Sequence, residues 1–429
     1  MMESYREYKE SGVKWLGEIP SHWELRKIFG LFSENKRKNT AFLYKHAMQF
    51  NYGTIVDKNE CFDTEETKEI YSNYSLINKG DIVINGLNLN YDFVSQRVAI
   101  SPKNGIITSA YVVISPKVEI NTYFYCYLFK NMDNMKIFHG MGTGVRKTLS
   151  YKELRNHEVL LPPLSEQDAI VRYLDTATSE IDKAIAMQQK MIDLLNERKQ
   201  IIIQNAVTKG LDENVEMKES GVEWIGRIPK HWEVVRLSHL TSKIGSGSTP
   251  KAGYVESGII FLRSQNVYCE GLKLNDVVHI SANVHRNMSG TKVLPNDVLM
   301  NITGGSIGRC FYVDETLGEA NVNQHVSIIR PTSIDTHYLK YYLQSYCGQI
   351  QVSLEQTGGN REGLTAKALA KFLITYPSQS EQKEIAAYLD SEMQRFDSAI
   401  TNCQRQITLL QERKQIIINE VVTGKVRVI

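Results

Sequence analysis

The chain has 429 residues, of which 42% are hydrophobic and 23% are charged, and its formal net charge is +2. This composition is that of an ordinary globular protein and excludes a basic surface over the whole chain, so any nucleic-acid surface must be local. The six cysteines form no C-x-x-C pair, which argues against a zinc site or a disulfide framework. A polar N-terminus and the absence of any run near 18 apolar residues predict a cytoplasmic protein.

A tryptophan-containing segment near the start of the chain returns in the second half. Residues 10–24 read ESGVKWLGEIPSHWE and residues 219–233 read ESGVEWIGRIPKHWE, with 11 of 15 positions identical. All four tryptophans lie in these two segments, which we call the heads. We interpret His22 and His231 within them as packed or capping residues rather than catalytic ones. The repeat predicts that the chain is a duplicated half.

The variable region after each head, about residues 25–160 and 234–375, mixes two structural signals. Short apolar runs bounded by Gly, Asn and Pro predict strands at 81–85, 110–114, 258–262 and 326–329. Stretches rich in Tyr and Leu predict helices at 121–138 and 337–351. Each variable region is therefore predicted to be an α/β module, and the matched positions of these runs predict one repeated framework.

Each variable region ends with a matched glycine-containing segment, at 142–152 and 357–367. Ser150 and Thr365 are predicted to be the N-caps of short helices, and Ser150 forms a capping box with Glu153. The same spacing between Ser165 and Asp168 predicts the cap of the long helix that follows.

Residues 165–203 contain no Gly or Pro and repeat apolar residues at alternating steps of three and four. This heptad rhythm predicts one long helix, roughly 58 Å in length, that needs a partner helix. The pattern returns at 380–418, where LLQERKQIII matches LLNERKQIII of the first helix. We expect the two helices to pair antiparallel as a coiled-coil spacer, with two amphipathic helices buried in separate cores as the alternative.

The predicted order of segments is a head and first module at 1–160, a long helix at 161–209, a head and second module at 210–375, and a second long helix with a tail at 376–429. The predicted fold class is thus α/β, with α+β modules separated by two long antiparallel coiled-coil helices. The internal duplication predicts pseudo-two-fold symmetry.

No catalytic arrangement is visible in the sequence. The glycine-rich runs at 140–144 and 244–251 match neither the G-x-G-x-x-G loop nor the Walker A loop. Residues 301–305 lack the Asn-Pro-Pro-aromatic signature of adenine methyltransferases. We interpret residues 244–251 as a flexible loop, and no metal ligand set is predicted.

Loops of both variable regions carry side chains that suit DNA. Lys and Arg neutralise phosphates, whereas Arg, Asn, Gln, Ser and Thr also reach base edges. The predicted DNA-binding residues are Lys36, Arg37, Lys38, Asn88, Asn90, Gln96, Arg97, Thr108, Ser109, Arg146, Lys147, Lys152, Arg263, Gln265, Asn266, Arg286, Arg309, Asn323, Gln324, Arg361 and Lys367.

Matched positions in the two halves divide these candidates into two kinds. The pairs that keep their identity, which suits sequence-independent phosphate contact, are Arg146 with Arg361 and Lys152 with Lys367. The pairs that differ, which suits the reading of bases, are Thr108 with Asn323 and Ser109 with Gln324.

The whole pattern resembles the specificity (S) subunit of type I DNA restriction–modification systems. The resemblance rests on the two heads, the G-T-G-x-x-x-x-L-S segment at 142–150, the PPLSEQ turn at 162–167 and the long helices ending in ERKQIII, and it covers nearly the whole chain. The second half departs from the pattern at the turn TYPSQSEQ and at the segment TGGNREGLT.

The resemblance implies that each variable region is a target recognition domain that reads one half of a bipartite, asymmetric DNA sequence. The paired helices would set the gap between the half-sites and dock two modification subunits, which bind S-adenosylmethionine and methylate adenine at N6. Restriction subunits that use ATP and Mg would join the complex. This chain itself would be non-catalytic and bind no cofactor. Apolar residues beyond the needs of one helix pair, Ile185, Ile192 and Ile203, are predicted to face partner subunits.

An antiparallel pair would let both recognition domains meet one face of a duplex about one turn, roughly 34–36 Å, apart. Insertions near Ser165 are then predicted to change the spacer and not the half-sites. Two other interpretations stay open. The first is a coiled-coil scaffold that binds proteins, which would have no affinity for DNA. The second is a free-standing transcriptional regulator, against which stands the lack of a helix-turn-helix pattern in this sequence.

Overall fold

The computed structural model describes residues 3–58, 64–94, 96–144, 147–356 and 363–428. Contacts group the chain into two compact units: unit 1 comprises Met1–Gln189 and Arg405–Ile429, and unit 2 comprises Lys190–Gln404. Each long helix therefore contributes one part to each unit. Among the described residues no helix has the length and apolar character needed to cross a membrane.

The first half of the chain contains twelve strands and six helices within the described residues. In chain order they are β1 (Tyr8–Glu10), β2 (Glu18–Pro20), β3 (Glu24–Lys27), α1 (Ile28–Leu31), β4 (Phe32–Glu34), β5 (Met48–Asn51), β6 (Thr54–Asp57), α2 (Glu65–Ser72), β7 (Ser75–Ile77), β8 (Ile82–Ile84), β9 (Val98–Ile100), β10 (Gly105–Ile107), β11 (Val112–Pro116), α3 (Thr122–Asn134), α4 (Ile137–Met141), α5 (Tyr151–Leu154), β12 (Glu158–Leu161) and α6 (Leu164–Lys209).

The second half follows a similar order with one additional strand among the described residues. Its elements are β13 (Met217–Glu219), β14 (Arg227–Pro229), β15 (Glu233–Arg236), α7 (Leu237–Leu240), β16 (Thr241–Ser246), β17 (Tyr254–Val255), β18 (Ile259–Leu262), β19 (Val278–Ile280), α8 (Ala282–Asn287), β20 (Lys292–Val293), β21 (Val298–Asn301), β22 (Cys310–Tyr312), β23 (Ala320–Val322), β24 (Val326–Pro331), α9 (Thr336–Gln344), α10 (Tyr346–Glu355), α11 (Ala366–Ala370), β25 (Leu373–Tyr376) and α12 (Gln379–Val422). Three short 3₁₀ helices lie at Ser264–Asn266, Ser289–Thr291 and Gly304–Ser306.

Each unit contains a four-stranded sheet with the same pattern of connections. The order is β4-β11-β8-β9 in unit 1 and β16-β24-β21-β22 in unit 2, and all of these pairings are antiparallel. Unit 2 adds a five-stranded sheet, β17-β19-β18-β23-β20, in which β18 and β23 run parallel. The predicted strands at 81–85, 110–114, 258–262 and 326–329 are confirmed as β8, β11, β18 and β24. The mixed α and β character of both halves is confirmed too.

The long helices begin slightly earlier and end later than the sequence predicts, at Leu164–Lys209 and Gln379–Val422. The predicted helix at 121–138 is divided into α3 and α4, because Lys136 adopts the left-handed conformation between them. The predicted helix at 337–351 likewise becomes α9 and α10, which join at Ser345. Length and periodicity were thus readable from the sequence, whereas the breaks were not.

The caps of the short helices follow the prediction. The side chain of Ser150 caps α5 in a capping box with Glu153, and Thr365 caps α11 by accepting from the Ala368 amide at 3.1 Å. The predicted cap at Ser165 is wrong, since Ser165 lies inside α6 and Asp168 accepts instead from Asn121 at 2.7 Å. In the second half, for which no cap was predicted, the hydroxyl of Ser378 accepts from the Glu381 amide at 3.3 Å at the start of α12.

Each unit is built around a buried tryptophan from its head. Trp23 belongs to a core in unit 1 with residues of α3 and α6, and Trp232 belongs to the matching core in unit 2. Both side chains are fully buried. Full burial of an aromatic ring of this size is a main source of stability in a module of this length.

Both long helices enter these cores. In unit 1, Ile181 of α6 shares the core with Ile417 and Ile418 of α12. In unit 2, Ile203 of α6 shares the core with Met393 of α12. Each unit thus contains the start of one long helix and the end of the other.

Candidate nucleic-acid interface

The basic segment after β4 lies on the surface of unit 1. Lys36, Arg37 and Lys38 are all exposed, and Lys36 lies 2.9 Å from Glu34. The backbone of Lys38 forms an isolated antiparallel β-bridge with Ser75 of β7, and Ser75 in turn pairs with Ile107 of β10. The structure therefore brings this basic segment within two strands of Thr108 and Ser109, which follow β10. Ser109 is exposed and Thr108 is half-buried, so the cluster offers both cations and hydroxyls.

The loop that joins β8 and β9 carries four further candidates. Asn88 and Gln96 are exposed, and Asn90 is half-buried. Arg97 is fully buried, and its guanidinium donates to the backbone oxygens of Leu87 at 2.7 Å and Asp92 at 2.6 Å. The prediction that Arg97 binds DNA is therefore wrong, because this side chain braces its own loop.

The glycine-containing segment of unit 1 lies beside that loop. The Leu89 amide donates to the Lys147 oxygen at 3.1 Å, and the Lys147 side chain is exposed. Lys152 on α5 is exposed as well. Arg146, and its counterpart Arg361 in unit 2, lie outside the residues that the structure describes, so their role stays a prediction.

In unit 2 three candidates surround the turn after β18. Asn266 is buried, and its side-chain amide donates to the Lys273 oxygen at 2.9 Å while its oxygen accepts from the Arg263 amide at 2.9 Å. Asn266 therefore shapes the turn and is wrongly predicted as a DNA contact. Arg263 is half-buried and donates to the Asp276 oxygen at 3.3 Å, and Gln265 stays exposed.

A second group in unit 2 stays open to solvent. Arg309 is exposed, with its guanidinium carbon 5.2 Å from the centre of the Tyr268 ring. Gln324 is exposed and contacts Thr249. Asn323 is buried and accepts from the His325 amide at 3.1 Å, so its predicted base contact is wrong. Two remaining candidates, Arg286 on α8 and Lys367 on α11, are exposed.

The structure also shows a pair of anchors that the sequence analysis did not assign. The carboxylate of Glu166, in the first turn of α6, accepts from His22 at 2.6 Å, from Trp23 at 3.0 Å and from Tyr5 at 2.9 Å. The next residue, Gln167, is buried and accepts from the backbone of Asn121 at 2.9 Å. This anchor joins the head, the helix α3 and the long helix within unit 1.

The same anchor exists in unit 2. Glu381 accepts from His231 at 2.8 Å and from Trp232 at 3.2 Å, and Gln382 accepts from the backbone of Asp335 at 2.7 Å. Two repeated tripeptide motifs in the sequence, HWE in the heads and SEQ in the turns, could have indicated these anchors. Both histidines are exposed, so of the two predicted roles packing is wrong, and each contacts a glutamate in the first turn of a long helix.

Burial raises the pKa of both anchor glutamates, but the hydrogen bonds that they accept outweigh this effect. For Glu166 the donors are Trp23, His22 and Tyr5, and the pKa lies below its ordinary value. For Glu381 they are His231, Trp232 and Ser378, with the same result. Both anchors are therefore built for the charged carboxylate.

The predicted partner surface on α6 needs correction. Ile192 and Ile203 are buried, and Ile203 belongs to the core of unit 2. Ile185 is half-buried against the core of unit 1. Heptad spacing reveals apolar positions but not which of them a recognition region covers. The large apolar residues exposed on the described long helices are Leu164, Met187, Met191, Leu194, Ile201, Tyr388, Leu409 and Ile416.

Within the described residues no group of three or more His, Cys, Asp or Glu side chains could hold a metal ion. What recurs in both units is a rigidly anchored framework that presents loops rich in Lys, Arg and side-chain amides. This combination defines a duplicated recognition protein.

Comparison with known proteins identifies the family to which this chain belongs. The family model described as "Type I restriction modification DNA specificity domain" matches residues 20–190 and again 229–411. The chain therefore belongs to the family of type I restriction–modification DNA specificity proteins. The predicted resemblance is therefore confirmed. Members of this family are the non-catalytic recognition components of their systems, which confirms the prediction that the chain is not an enzyme.

Individual relatives agree with the family. The chain is 27% identical over 436 residues to the specificity subunit of the type I restriction enzyme MjaVIII of Methanocaldococcus jannaschii, covering 98% of this chain and 97% of the relative. It is also 27% identical over 270 residues to the EcoBI specificity subunit of Escherichia coli, covering 59% of this chain and 56% of that one.

Two solved structures share the fold. One, from a study of complex assembly and conformational transition of the type I R-M system, has a TM-score of 0.73 at 17% identity and covers 94% of this chain and 98% of its own. The HsdS subunit of Thermoanaerobacter tengcongensis has a TM-score of 0.52 at 18% identity and covers 95% of this chain and 98% of its own.

Proposed function

We propose that this chain is the DNA sequence-specificity subunit of a type I restriction–modification complex, in which each unit reads one half of a bipartite, asymmetric target. The observation that carries the proposal is the contrast between framework and loops. The two units repeat the same four-stranded sheet order and the same anchors. Their loops differ in length and in exposed side chains, as two readers of different half-sites require.

The exposed candidates suit the two parts of DNA recognition. Lys36, Lys147 and Lys152 in unit 1 provide phosphate contacts, which position a protein on a duplex. Gln96 and Gln324 have the side-chain amide that pairs in bidentate fashion with adenine. We assign base reading first to these exposed amides and to Ser109, because the buried Asn266 and Asn323 have other partners.

The long helices are proposed to pair antiparallel as a coiled-coil spacer, which gives the chain pseudo-two-fold symmetry. Two ion pairs support this arrangement, one within each unit. In unit 1, Lys414 of α12 lies 2.6 Å from Asp182 of α6. In unit 2, Lys199 of α6 lies 2.5 Å from Asp397 of α12. The early part of each helix thus contacts the late part of the other.

The exposed apolar side chains of the helices are proposed to dock two modification subunits. Met191, Leu194 and Ile201 on the unit 2 part of α6 have the three- and seven-residue spacing of one helix face. Methionine adapts its shape to a partner surface. Restriction subunits are proposed to join the same complex. S-adenosylmethionine, ATP and Mg would bind to these partners and not to this chain.

The first test is to co-express the chain with the modification subunit encoded beside it and to map N6-methyladenine across the host genome by single-molecule sequencing. We expect one split, asymmetric motif that disappears when the chain is omitted. Methylation that does not depend on the chain would refute the proposal and favour a protein-binding scaffold. A scaffold would also lack DNA affinity that falls steeply with salt.

The spacer proposal has a separate test. The anchors at Glu166 and Gln167 make an insertion near Ser165 disruptive, so the insertion belongs at the boundaries between the units. One heptad placed after Gln189 and one after Gln404 leaves the contacts inside each unit intact. Seven helical residues add about 10.5 Å, or about 3 base pairs of spacer.

A matched control places the same seven residues after Asp212, in the exposed turn that follows α6. We expect the double insertion to lengthen the non-specific spacer of the methylated motif with both half-sites unchanged, and the control to leave the spacer as it was. Altered half-site bases with an unaltered spacer would refute the idea that the helices act as a ruler.

A further inference from the structure

The loop between β8 and β9 of unit 1 is held by two cationic side chains, Arg97 at its end and Lys136 from the turn between α3 and α4. Arg97 donates to the oxygens of Leu87 and Asp92, and also to that of Asn85 at 3.2 Å. Lys136 donates to the oxygen of Phe93. These bonds satisfy four backbone carbonyl groups within the described part of the loop and hold that part of its backbone in place.

Two more contacts hold the same loop. A ring nitrogen of His139 lies 3.1 Å from the oxygen of Asp92, and the His139 ring stacks on Phe93 with 4.7 Å between the ring centres. At the start of the loop, the oxygen of Gly86 accepts from the Leu149 amide at 2.9 Å. A β-carbon at Gly86 would lie 2.2 Å from the Leu149 oxygen, so only glycine permits this approach.

A loop held in this way would normally serve to bury apolar side chains, but this one exposes them. Tyr91 is 77% exposed, Val94 is 90% exposed and Phe93 is 53% exposed. Tyr52, at the tip of the β5–β6 hairpin, is also exposed, and its neighbour Gly53 packs against Gln96 at the other end of the loop. Large exposed apolar groups in one ordered place mark a binding surface.

The surroundings of these side chains favour DNA as the occupant. Lys147 is exposed on the segment that contacts the loop, and Asn88 and Gln96 are exposed on the loop itself. The acidic side chain of Asp92 lies 3.5 Å from the Arg97 guanidinium, which offsets its charge. Aromatic and aliphatic side chains beside cations and amides are the combination that contacts base edges and stacks on bases.

We propose that Tyr91, Phe93 and Val94 are specificity-determining residues that insert into a groove of the duplex at the half-site read by unit 1, with Arg97 as the positioning residue that sets their loop. This inference rests on the proposed function and deepens it. Apolar contact with the methyl group of thymine, or partial stacking on a base step, then supplies sequence preference that the lysines cannot. The cations would supply affinity, and the loop would supply selectivity.

The test uses the full chain with its modification subunits and a library of randomised DNA duplexes. Selection with the wild-type complex yields a motif with two half-sites. The variant with Tyr91→Ser and Phe93→Ser together is expected to lose the sequence preference at one half-site and to keep the other. Affinity for the wild-type duplex is expected to fall roughly 10- to 100-fold. The dependence of affinity on salt is expected to stay unchanged, because no phosphate contact is removed.

Two further variants sharpen the result. Tyr123→Ser removes an exposed aromatic ring of the same unit outside the loop and is expected to leave both half-sites intact. Arg97→Met is expected to reduce the preference at the same half-site as the double variant and at no other, with the salt dependence of affinity unchanged, whereas unfolding of unit 1 would also remove its phosphate contacts and lower that dependence. Full retention of both half-sites by the Tyr91/Phe93 variant overturns the proposal. If the wild-type complex selects no motif, the proposed function itself fails.

Discussion

The loop between β8 and β9 in unit 1 and the loop between β21 and β22 in unit 2 occupy equivalent places in the matching four-stranded sheets of the two units. The amide of Asn85 donates to the oxygen of Arg97 at 2.8 Å, and the amide of Asn301 donates to the oxygen of Arg309 at 2.8 Å. Arg97 and Arg309 are therefore structural counterparts. Arg97 is fully buried as a brace, whereas Arg309 is exposed beside Tyr268.

Loop length explains the difference. Eleven residues separate Asn85 from Arg97, and seven separate Asn301 from Arg309. The longer loop has more carbonyl groups to satisfy and folds back over its arginine, whereas the shorter loop, with Gly304, Gly305 and Gly308, leaves its arginine exposed. The same residue type at the same position is thus buried in one unit and exposed in the other, and duplication preserves the framework while the loops diverge.

The largest expected difference between the two loops is in stability. Arg97→Met removes the guanidinium that donates to the carbonyl groups of Leu87 and Asp92, which should cost about 2–4 kcal/mol and raise hydrogen exchange in β8 and β9. Arg309→Met should change stability by less than about 0.5 kcal/mol. Peptide-resolved hydrogen–deuterium exchange and denaturant unfolding measure both effects. Equal destabilisation by the two variants would contradict the comparison.

The same two variants should differ in the opposite sense in DNA binding. Arg309→Met is expected to lower the slope of log affinity against log salt by about 1, because one phosphate contact is lost. Arg97→Met is expected to leave that slope unchanged. A salt titration with the wild-type duplex checks this pair, and an unchanged slope for Arg309→Met would remove it from the phosphate contacts.

The anchors should behave alike in both units, which gives the comparison an internal reference. Glu166→Gln and Glu381→Gln each replace a carboxylate with an amide that cannot accept every bond, at a cost of about 1–2 kcal/mol. The folded pKa of each glutamate lies below its ordinary value of 4.5, so the stabilisation is complete above that pH and is lost as the pH falls through the lowered pKa.

Stability measured between about pH 6 and pH 3 should therefore fall less steeply for either glutamine variant than for the wild type. The matched variants serve as controls for one another, because each leaves the other anchor intact. A glutamine variant with an unaltered pH dependence would show that the anchor contributes no charge-dependent stability.

The smallest expected effects belong to the ion pairs of the long helices. Lys414→Met and Lys199→Met should each cost less than about 1 kcal/mol, and the cost should shrink in high salt, because Asp182 and Asp397 are exposed. Thermal unfolding at low and high salt measures this. A large effect that salt does not reduce would indicate a role beyond a surface ion pair.

The sequence predicted the framework well because its signals are local or repeated. The long helices were predicted because helix periodicity does not depend on tertiary contacts. The duplication was predicted because the heads and the SEQ turns appear twice in the sequence. The capping box at Ser150 was predicted for the same reason. The cap at Ser378 was missed because the proline-marked turn in the second half allows a serine two residues earlier.

The candidate site was less predictable, because residue type does not determine burial. Arg97, Asn266 and Asn323 have the chemistry of DNA contacts, yet tertiary packing directs their polar atoms toward backbone groups. Ile203 fits a partner-facing heptad position, but the core of unit 2 covers it. Conversely, the sequence analysis did not single out Tyr91 and Val94, which are exposed.

The central claim is that the two units read separate half-sites, and one exchange tests it most directly. Residues 25–160 would be replaced with the corresponding region of another specificity subunit of known target, and N6-methyladenine would be mapped with the native modification subunit present. The account predicts a motif with one half-site replaced, the other retained and the spacer unchanged. A motif in which both half-sites change, or neither does, would contradict it.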